Sequence, residues 1–267
     1  MIAKISAAEK GELQDPQALF PGLKKFYFVG IGGIGMSALA KELRHLGFEV
    51  AGSDRKESFS IQKMRSQGIE VSVGHEKALD PHVSALVYST AIQPDNPELL
   101  QAQRYGIPIL HRSEILAEFM NKRPSIGVTG THGKTTTTAM ISYLLHELGH
   151  EPTCLVGGIL LNAQDNVLLG SGNLYVAEVD ESDKSQRRYF PLHSVITNME
   201  PEHLDHYNDF EDIKSCFKSY GFQTRSDGYL VINYEDEGLR ALFTDYQKPL
   251  VTYGFQHAAD FWAHDIH

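Results

Sequence analysis

Four groups of residues place chemically capable side chains at useful spacings. The first, Thr129-Gly130-Thr131-His132-Gly133-Lys134-Thr135-Thr136, lies between an apolar run and a helix-like stretch. In such a loop the backbone N–H groups of Gly130 to Thr136 cradle ATP phosphates, Lys134 reaches the β and γ oxygens, and the Thr135 hydroxyl meets Mg²⁺. The general phosphate-loop pattern would put its first glycine at Val128, whereas the glycines stand at 127 and 130, which argues against a generic kinase or GTPase. The alternative is a threonine-rich helix start with no ligand. The second group is Gly30-Ile31-Gly32-Gly33-Ile34-Gly35, followed by Asp54 nineteen residues beyond Gly35. Its glycines let backbone approach a pyrophosphate, the helix start supplies free N–H groups, and the acid can take a ribose hydroxyl. A nicotinamide cofactor and a UDP-sugar fit equally, and a tight turn without ligand is the plain alternative. The third group is acidic: Glu178, Asp180, Glu181 and Asp183 follow the apolar run Leu174 to Ala177. Glu178 comes first and would emerge at the ligand edge of a sheet, where a carboxylate orders Mg²⁺; otherwise the run is a solvated loop. The fourth, Thr197 to His206, includes His203, one of thirteen histidines, set just past another apolar run where it could bind a metal or steady a phosphate.

These groups need strands that end at one edge and helices that begin there. Phe26 to Val29 reads as a buried strand, and Met36, Leu39, Leu43 and Leu46 recur at helical spacing until Gly47. Apolar runs follow at 49–52, 69–73, 85–88 and 107–110, with helix-like stretches at 58–67 and 97–105. A second set begins at Ile126, continues in a helix over 134–148, and adds runs at 154–156, 174–177, 195–197 and 229–232. Strand-to-strand spacings of this size require crossovers, so parallel sheets and an α/β class are expected. The polar segment Asn121-Lys122-Arg123-Pro124 between the sets marks the domain boundary. The last residues, 260–267, alternate like the start of a strand.

The 267 residues, 42% hydrophobic and 22% charged, suit two domains of about 100 to 200 residues each. A net charge of −10, with no Lys/Arg block, excludes duplex DNA as an expected partner. Cys154 and Cys216 lie in no disulfide or zinc pattern, which points to a reducing cytoplasm. Residues 1–20 are interrupted by charges and no stretch of about 18 apolar residues occurs, so neither a signal peptide nor a membrane span is expected.

Together the four groups resemble the Mur ligase family, the ATP-dependent amide-forming enzymes of peptidoglycan precursor assembly. Thr129 to Thr135 is similar to that family's variant phosphate loop. The resemblance continues through Gly30 to Ser37, Gly52-Ser53-Asp54, Ser89-Thr90-Ala91-Ile92, Asn96-Pro97-Glu98, His111-Arg112, Ala177 to Asp183 and Thr197 to His203, and spans Lys25 to about Asp236. The motifs are most similar to the branch that joins L-alanine to the lactyl carboxylate of UDP-N-acetylmuramate. The resemblance implies an N-terminal extension at 1–22, a Rossmann-like UDP-sugar-binding domain at 23–121 and a central ATP-binding domain at 122–267. It implies that Gly32, Gly33, Ile34 and Gly35 lie near the diphosphate, with Ser53, Asp54, His75, Ser89 and Thr90 completing the UDP-sugar site. Gly130, Thr131, His132, Gly133, Lys134, Thr135 and Thr136 would bind ATP. Lys134, Glu178 and His203 would be catalytic, and Thr135, Glu178 and His203 would hold Mg²⁺. Family members continue into a further domain, so the chain is expected to be an incomplete version that binds UDP-N-acetylmuramate but turns over poorly or not at all. The alternatives are a ligase recycling a tripeptide onto the same UDP-sugar, a non-catalytic UDP-sugar-binding module, and a nicotinamide dehydrogenase.

Overall fold

Short apolar strands joined through crossover helices pair in parallel, and the chain builds such a set twice. The computed structural model describes residues 16–75, 78–202 and 207–265. In chain order these carry α1 (Pro16–Leu19), β1 (Lys25–Val29), α2 (Ile34–His45), β2 (Glu49–Asp54), α3 (Phe59–Ser66), β3 (Glu70–Val73), β4 (Ala85–Tyr88), α4 (Pro97–Tyr105), β5 (Ile109–His111) and α5 (Arg112–Lys122). Then come β6 (Ser125–Thr129), α6 (Lys134–Glu147), β7 (Thr153–Leu160), β8 (Asp165–Leu168), β9 (Tyr175–Glu178), β10 (His193–Ile196), α7 (Phe210–Gln223), β11 (Leu230–Asn233), α8 (Glu237–Leu242), β12 (Leu250–Gly254) and β13 (Phe261–Trp262).

The described residues divide into two units, each discontinuous in sequence: 16–119 with 153–171, and 120–152 with 172–265. In the first unit five strands lie in the order β3-β2-β1-β4-β5, all parallel, with Phe28 level with Gly52 on one side and Val87 on the other. The order reverses between β1 and β4, so the loops leaving these two strands diverge and open a crevice at their carboxyl ends. Phe20, Phe26, Phe48 and Phe119 meet edge to face at 5.3–5.8 Å. Burying each ring contributes about 2–3 kcal/mol. On the opposite face Tyr27, Val29, Leu86, Leu99 and Ile107 form a second cluster.

The first unit also contains β7 and β8, an antiparallel hairpin pairing Cys154 with Leu168 and Leu160 with Asp165. The apolar run at 154–156 lies within β7, as expected; the four-residue turn at 161–164 is too short for a crossover, so β8 folds straight back antiparallel to it. The segment 121–124, expected as the domain boundary, lies at the end of a helix, beside the division between the two units at 119 and 120. Asn121 and Lys122 are the last residues of α5, whose Ile115, Leu116, Phe119 and Met120 are buried at helical spacing.

In the second unit the strands follow in the order β13-β12-β11-β10-β6-β9, all parallel. Here β6 is central, flanked by β10 (Thr129 level with Ile196) and β9 (Val128 level with Glu178). Tyr175, Val176, Phe217 and Tyr220 are among its buried core. Among the described residues no helix is long and apolar enough to cross a membrane.

Candidate functional site

Each unit carries one glycine loop at the carboxyl end of its central strand, and the helix behind each loop starts without a side-chain cap. Ser58, Asn96, Asp209 and Asp236 accept first-turn N–H bonds at the starts of α3, α4, α7 and α8. Gly33 before α2 and Gly133 before α6 have no side chain to do so. First-turn N–H groups left uncapped, at the positive end of a helix dipole, are what an anion needs.

In the second unit β6 delivers the loop Gly130–Gly133 to the sheet edge, where the segment after β10 holds it. Asn198 accepts the His132 N–H at 2.8 Å through Oδ1, donates to the His132 carbonyl at 2.9 Å, and accepts the Thr131 N–H at its own carbonyl. The Thr197 hydroxyl donates to the His132 carbonyl at 2.6 Å, and Thr131 Oγ1 accepts the Glu200 N–H at 2.8 Å. Gly130, at φ +135°, has to be glycine: a Cβ would stand 2.1 Å from Thr197 Oγ1.

Lys134 opens α6 and bends its ammonium back into the loop mouth, where it donates to the carbonyls of Gly130 (2.7 Å) and Thr131 (3.1 Å) and to Glu181 Oε1 (2.7 Å). Burial pushes the Glu181 carboxyl above the usual carboxylate range, and the Lys134 ammonium only partly offsets this. The Tyr207 hydroxyl donates to the Glu181 carbonyl. Thr135 is half-buried in the first turn of α6, while Thr136 and His132 are exposed. The His132 ring stands 3.6 Å from Glu200 and 3.5 Å from Glu202. Glu178, half-buried, ends β9 one strand over from β6. His203 lies outside the described residues.

The acidic run thus divides by role. Asp180 and Asp183 tie down their own loop by accepting the N–H of Ser182 and of Ser185, Glu181 pairs with Lys134, and Glu178 stands at the strand end. The pairing of Glu181 with Lys134 and the grip of Asn198 on the loop lie outside what motif spacing conveys. Both depend on β9 and β10 flanking β6.

In the first unit the loop is closed by β2. The N–H groups of Gly30 and Ile31 donate to the Ser53 carbonyl at 2.9 and 3.0 Å, and that of Gly32 donates to Asp54 Oδ2 at 2.8 Å. A Cβ on Gly32 would lie 2.8 Å from that carboxylate. Gly33 and Ile34 are exposed, and Gly35 is half-buried with Arg112 3.3 Å from where its Cβ would be. Ser53 is fully buried: its hydroxyl donates to Glu98 Oε2 at 2.7 Å and lies 3.0 Å from His75 Nδ1. Glu98, equally buried, takes the Tyr27 hydroxyl at 2.7 Å and His75 Nδ1 at 2.7 Å. Burial, then the Glu98 carboxylate, pushes the Tyr27 hydroxyl up. Glu98 therefore fixes the ring of His75 while Asp54 fixes the loop. Ser89 and Thr90 follow β4, and Ile92 of the same turn packs on Gly30. The structure thus gathers Gly32–Gly35, Asp54, Ser89 and Thr90 at the carboxyl ends of β1, β2 and β4, with Ser53 beneath them.

Residues 25–124 match the Mur ligase family, catalytic domain, and residues 128–267 match the Mur ligase middle domain. The chain belongs to the Mur ligase family. Within it, the chain is 45% identical over 240 residues to the UDP-N-acetylmuramate–L-alanine ligase of Carboxydothermus hydrogenoformans, covering 90% of this chain and 52% of that protein. Among solved structures it is similar to the UDP-N-acetylmuramate–alanine ligase of Thermotoga maritima, with TM-score 0.77 and 34% identity over 86% of this chain and 52% of that one. It is also similar to the UDP-N-acetylmuramate:L-alanyl-γ-D-glutamyl-meso-diaminopimelate ligase of Neisseria meningitides, with TM-score 0.78 and 25% identity over 87% of this chain and 78% of that one. The chain spans about half the length of the curated relatives it matches. The parallel α/β units and their two glycine loops are therefore those of a Mur ligase.

Proposed function

We propose that this Mur ligase joins L-alanine to the lactyl carboxylate of UDP-N-acetylmuramate at the expense of ATP. The observation that carries the reading is the second loop: an uncapped helix start, a glycine at φ +135°, and a lysine ammonium already held in the loop mouth. That set of donors suits a triphosphate. A carboxylate is a poor acylating agent. Its oxygen would attack the γ-phosphorus with ADP leaving, and the alanine nitrogen would then attack the acyl carbon with phosphate leaving.

Lys134 and the N–H groups of Gly133, Thr135 and Thr136 would bind ATP and stabilise charge on the transferring phosphoryl oxygens, while Gly130, Thr131 and His132, the last two with their N–H groups held by Asn198, would shape the loop around it. To do so Lys134 must exchange Glu181 for phosphate. The hydroxyl of Thr135 and the carboxylate of Glu178 are hard oxygen donors that fit Mg²⁺, and His203 would complete the set. Magnesium, when bound, supplies positive charge to the phosphate oxygens. In the first unit the α2 start at Gly32, Gly33, Ile34 and Gly35 would take the diphosphate. Asp54, His75, Ser89 and Thr90 would take the nucleoside and ribose, and Ser53 would hold His75 in place. The work of the protein is to bring two anions together, so the local positive groups matter and the net charge does not.

The test is calorimetric titration of the chain with UDP-N-acetylmuramate and, separately, with ATP in magnesium. Saturable binding of both is expected, and no binding of ATP would overturn the reading. The likeness to the Neisseria ligase favours a second acceptor, a tripeptide. Alanine-dependent phosphate release exceeding tripeptide-dependent release, measured in the full-length protein, decides for alanine.

A further inference from the structure

Within the first unit, a cavity of about 410 Å³ lies beside the start of α2, the start of α3 and the β7–β8 hairpin. Its floor is ionic. Asp165, at the first position of β8, receives Lys41 of α2 on Oδ1 at 2.5 Å and Lys63 of α3 on Oδ2 at 2.8 Å, and the Lys41 and Asp165 side chains are only 4% and 9% exposed. The next residue continues the attachment. Asn166 Oδ1 accepts from Lys41 at 3.0 Å, and its Nδ2 donates to the Ile34 carbonyl at 2.5 Å and to Ser37 Oγ at 3.0 Å. Lys63 donates also to the Gln164 carbonyl at 2.8 Å. Two adjacent hairpin residues are thus fastened to the first two turns of the helix that follows the glycine loop. A buried ion cluster stabilises no better than apolar packing of the same volume, but it admits only one geometry.

The rim above this floor is apolar and uncovered. Phe59 is 78% exposed, and Ile159 and Leu161 of the hairpin are 59% and 85% exposed. Three large apolar side chains standing in water around one cavity are what a ligand with an apolar face would cover.

We propose that Lys41 and Asp165 are positioning residues for the UDP-sugar, holding the hairpin so that Ile159 and Leu161 form, with Phe59, an apolar wall for its sugar end. The inference rests on the function proposed for the first loop. The diphosphate and uridine are polar, whereas the acetyl and lactyl groups of the sugar end in methyls, so the wall discriminates UDP-N-acetylmuramate from UDP.

The experiment compares the affinity of the chain for these two ligands in the wild type, in Asp165→Asn and in Leu161→Ser, with hydrogen exchange of the hairpin amides as a second readout. Leu161 is at the surface, so its variant folds whatever Asp165→Asn does. Both variants are expected to weaken UDP-N-acetylmuramate about tenfold, the loss of roughly one exposed-to-buried apolar contact, while leaving UDP unchanged. Asp165→Asn alone is expected to speed exchange over 153–168, and Asp165→Glu to restore part of the affinity. Equal weakening of both ligands, or wild-type discrimination in Leu161→Ser, overturns the inference with the function intact. A wild type that binds neither ligand overturns the reading of the first loop itself.

Discussion

The two glycine loops share a topology and differ in where their positive charge comes from. At Gly30–Gly33 the N–H groups of residues 30, 31 and 32 are already taken by the end of β2, and no lysine lies in the loop. At Gly130–Gly133 the loop is gripped from outside by Thr197 and Asn198, and its own Lys134 waits against Glu181. A closed loop with an uncapped helix behind it suits the two charges of a diphosphate diester. A loop that carries its own ammonium suits the greater charge of a triphosphate whose terminal group is to be transferred.

If that division is correct, the largest effect belongs to Lys134. Lys134→Ala removes a charge-assisted contact of about 3 kcal/mol, so the Kd for ATP should rise roughly a hundredfold while that for UDP-N-acetylmuramate stays unchanged in calorimetry. Asn198→Ala comes next. It releases the His132 N–H and carbonyl, and a loss of about 1.5 kcal/mol should appear as roughly tenfold weaker ATP binding, again without effect on the UDP-sugar. Asp54→Asn is the mirror test in the other unit. It replaces an ionised acceptor by a neutral one on Gly32, so UDP-N-acetylmuramate should weaken about fivefold, roughly 1 kcal/mol, and ATP binding should hold. Loss of both affinities in any one variant would break the division.

The smallest effect is a pH dependence confined to the first unit. Burial alone would raise the Asp165 carboxyl, but the hydrogen bonds from Lys41 and Lys63 outweigh it and hold it below the usual carboxylate range. The stability this contributes is complete above the unfolded value of about 3.9 and is lost as pH falls through the lower folded value. Thermal melts should therefore show the gap between wild type and Asp165→Asn closing as pH drops below about 4, with no closure above about 5.

Much of this was legible before the structure. β4 and α4 lie on the apolar run at 85–88 and the helix-like stretch at 97–105, and α6 starts at Lys134, where the helix-like stretch was expected to begin. These signals are local. β8 and β12 were not legible: β8 is a four-residue return strand behind a turn, and β12 is half-exposed along its whole length and so forms no buried run. α5 was passed over because a polar segment ending in proline outweighed its buried stripe. In the site, the glycines, Lys134 and Glu178 announce themselves by type and spacing. The roles of Glu181, Asn198 and Glu98 do not, because each meets its partner across a strand pairing. Lys41 and Asp165 are 124 residues apart, and only the fold brings them together.

Hydrogen–deuterium exchange of the chain with each ligand in turn tests the central claim most directly. UDP-N-acetylmuramate should slow exchange at 30–37 and in the hairpin at 153–168 and leave 130–138 unchanged, while ATP with magnesium should slow exchange at 130–138 and leave 30–37 unchanged. Protection of 130–138 by the UDP-sugar, or of 30–37 by ATP, would contradict the assignment of one loop to each ligand.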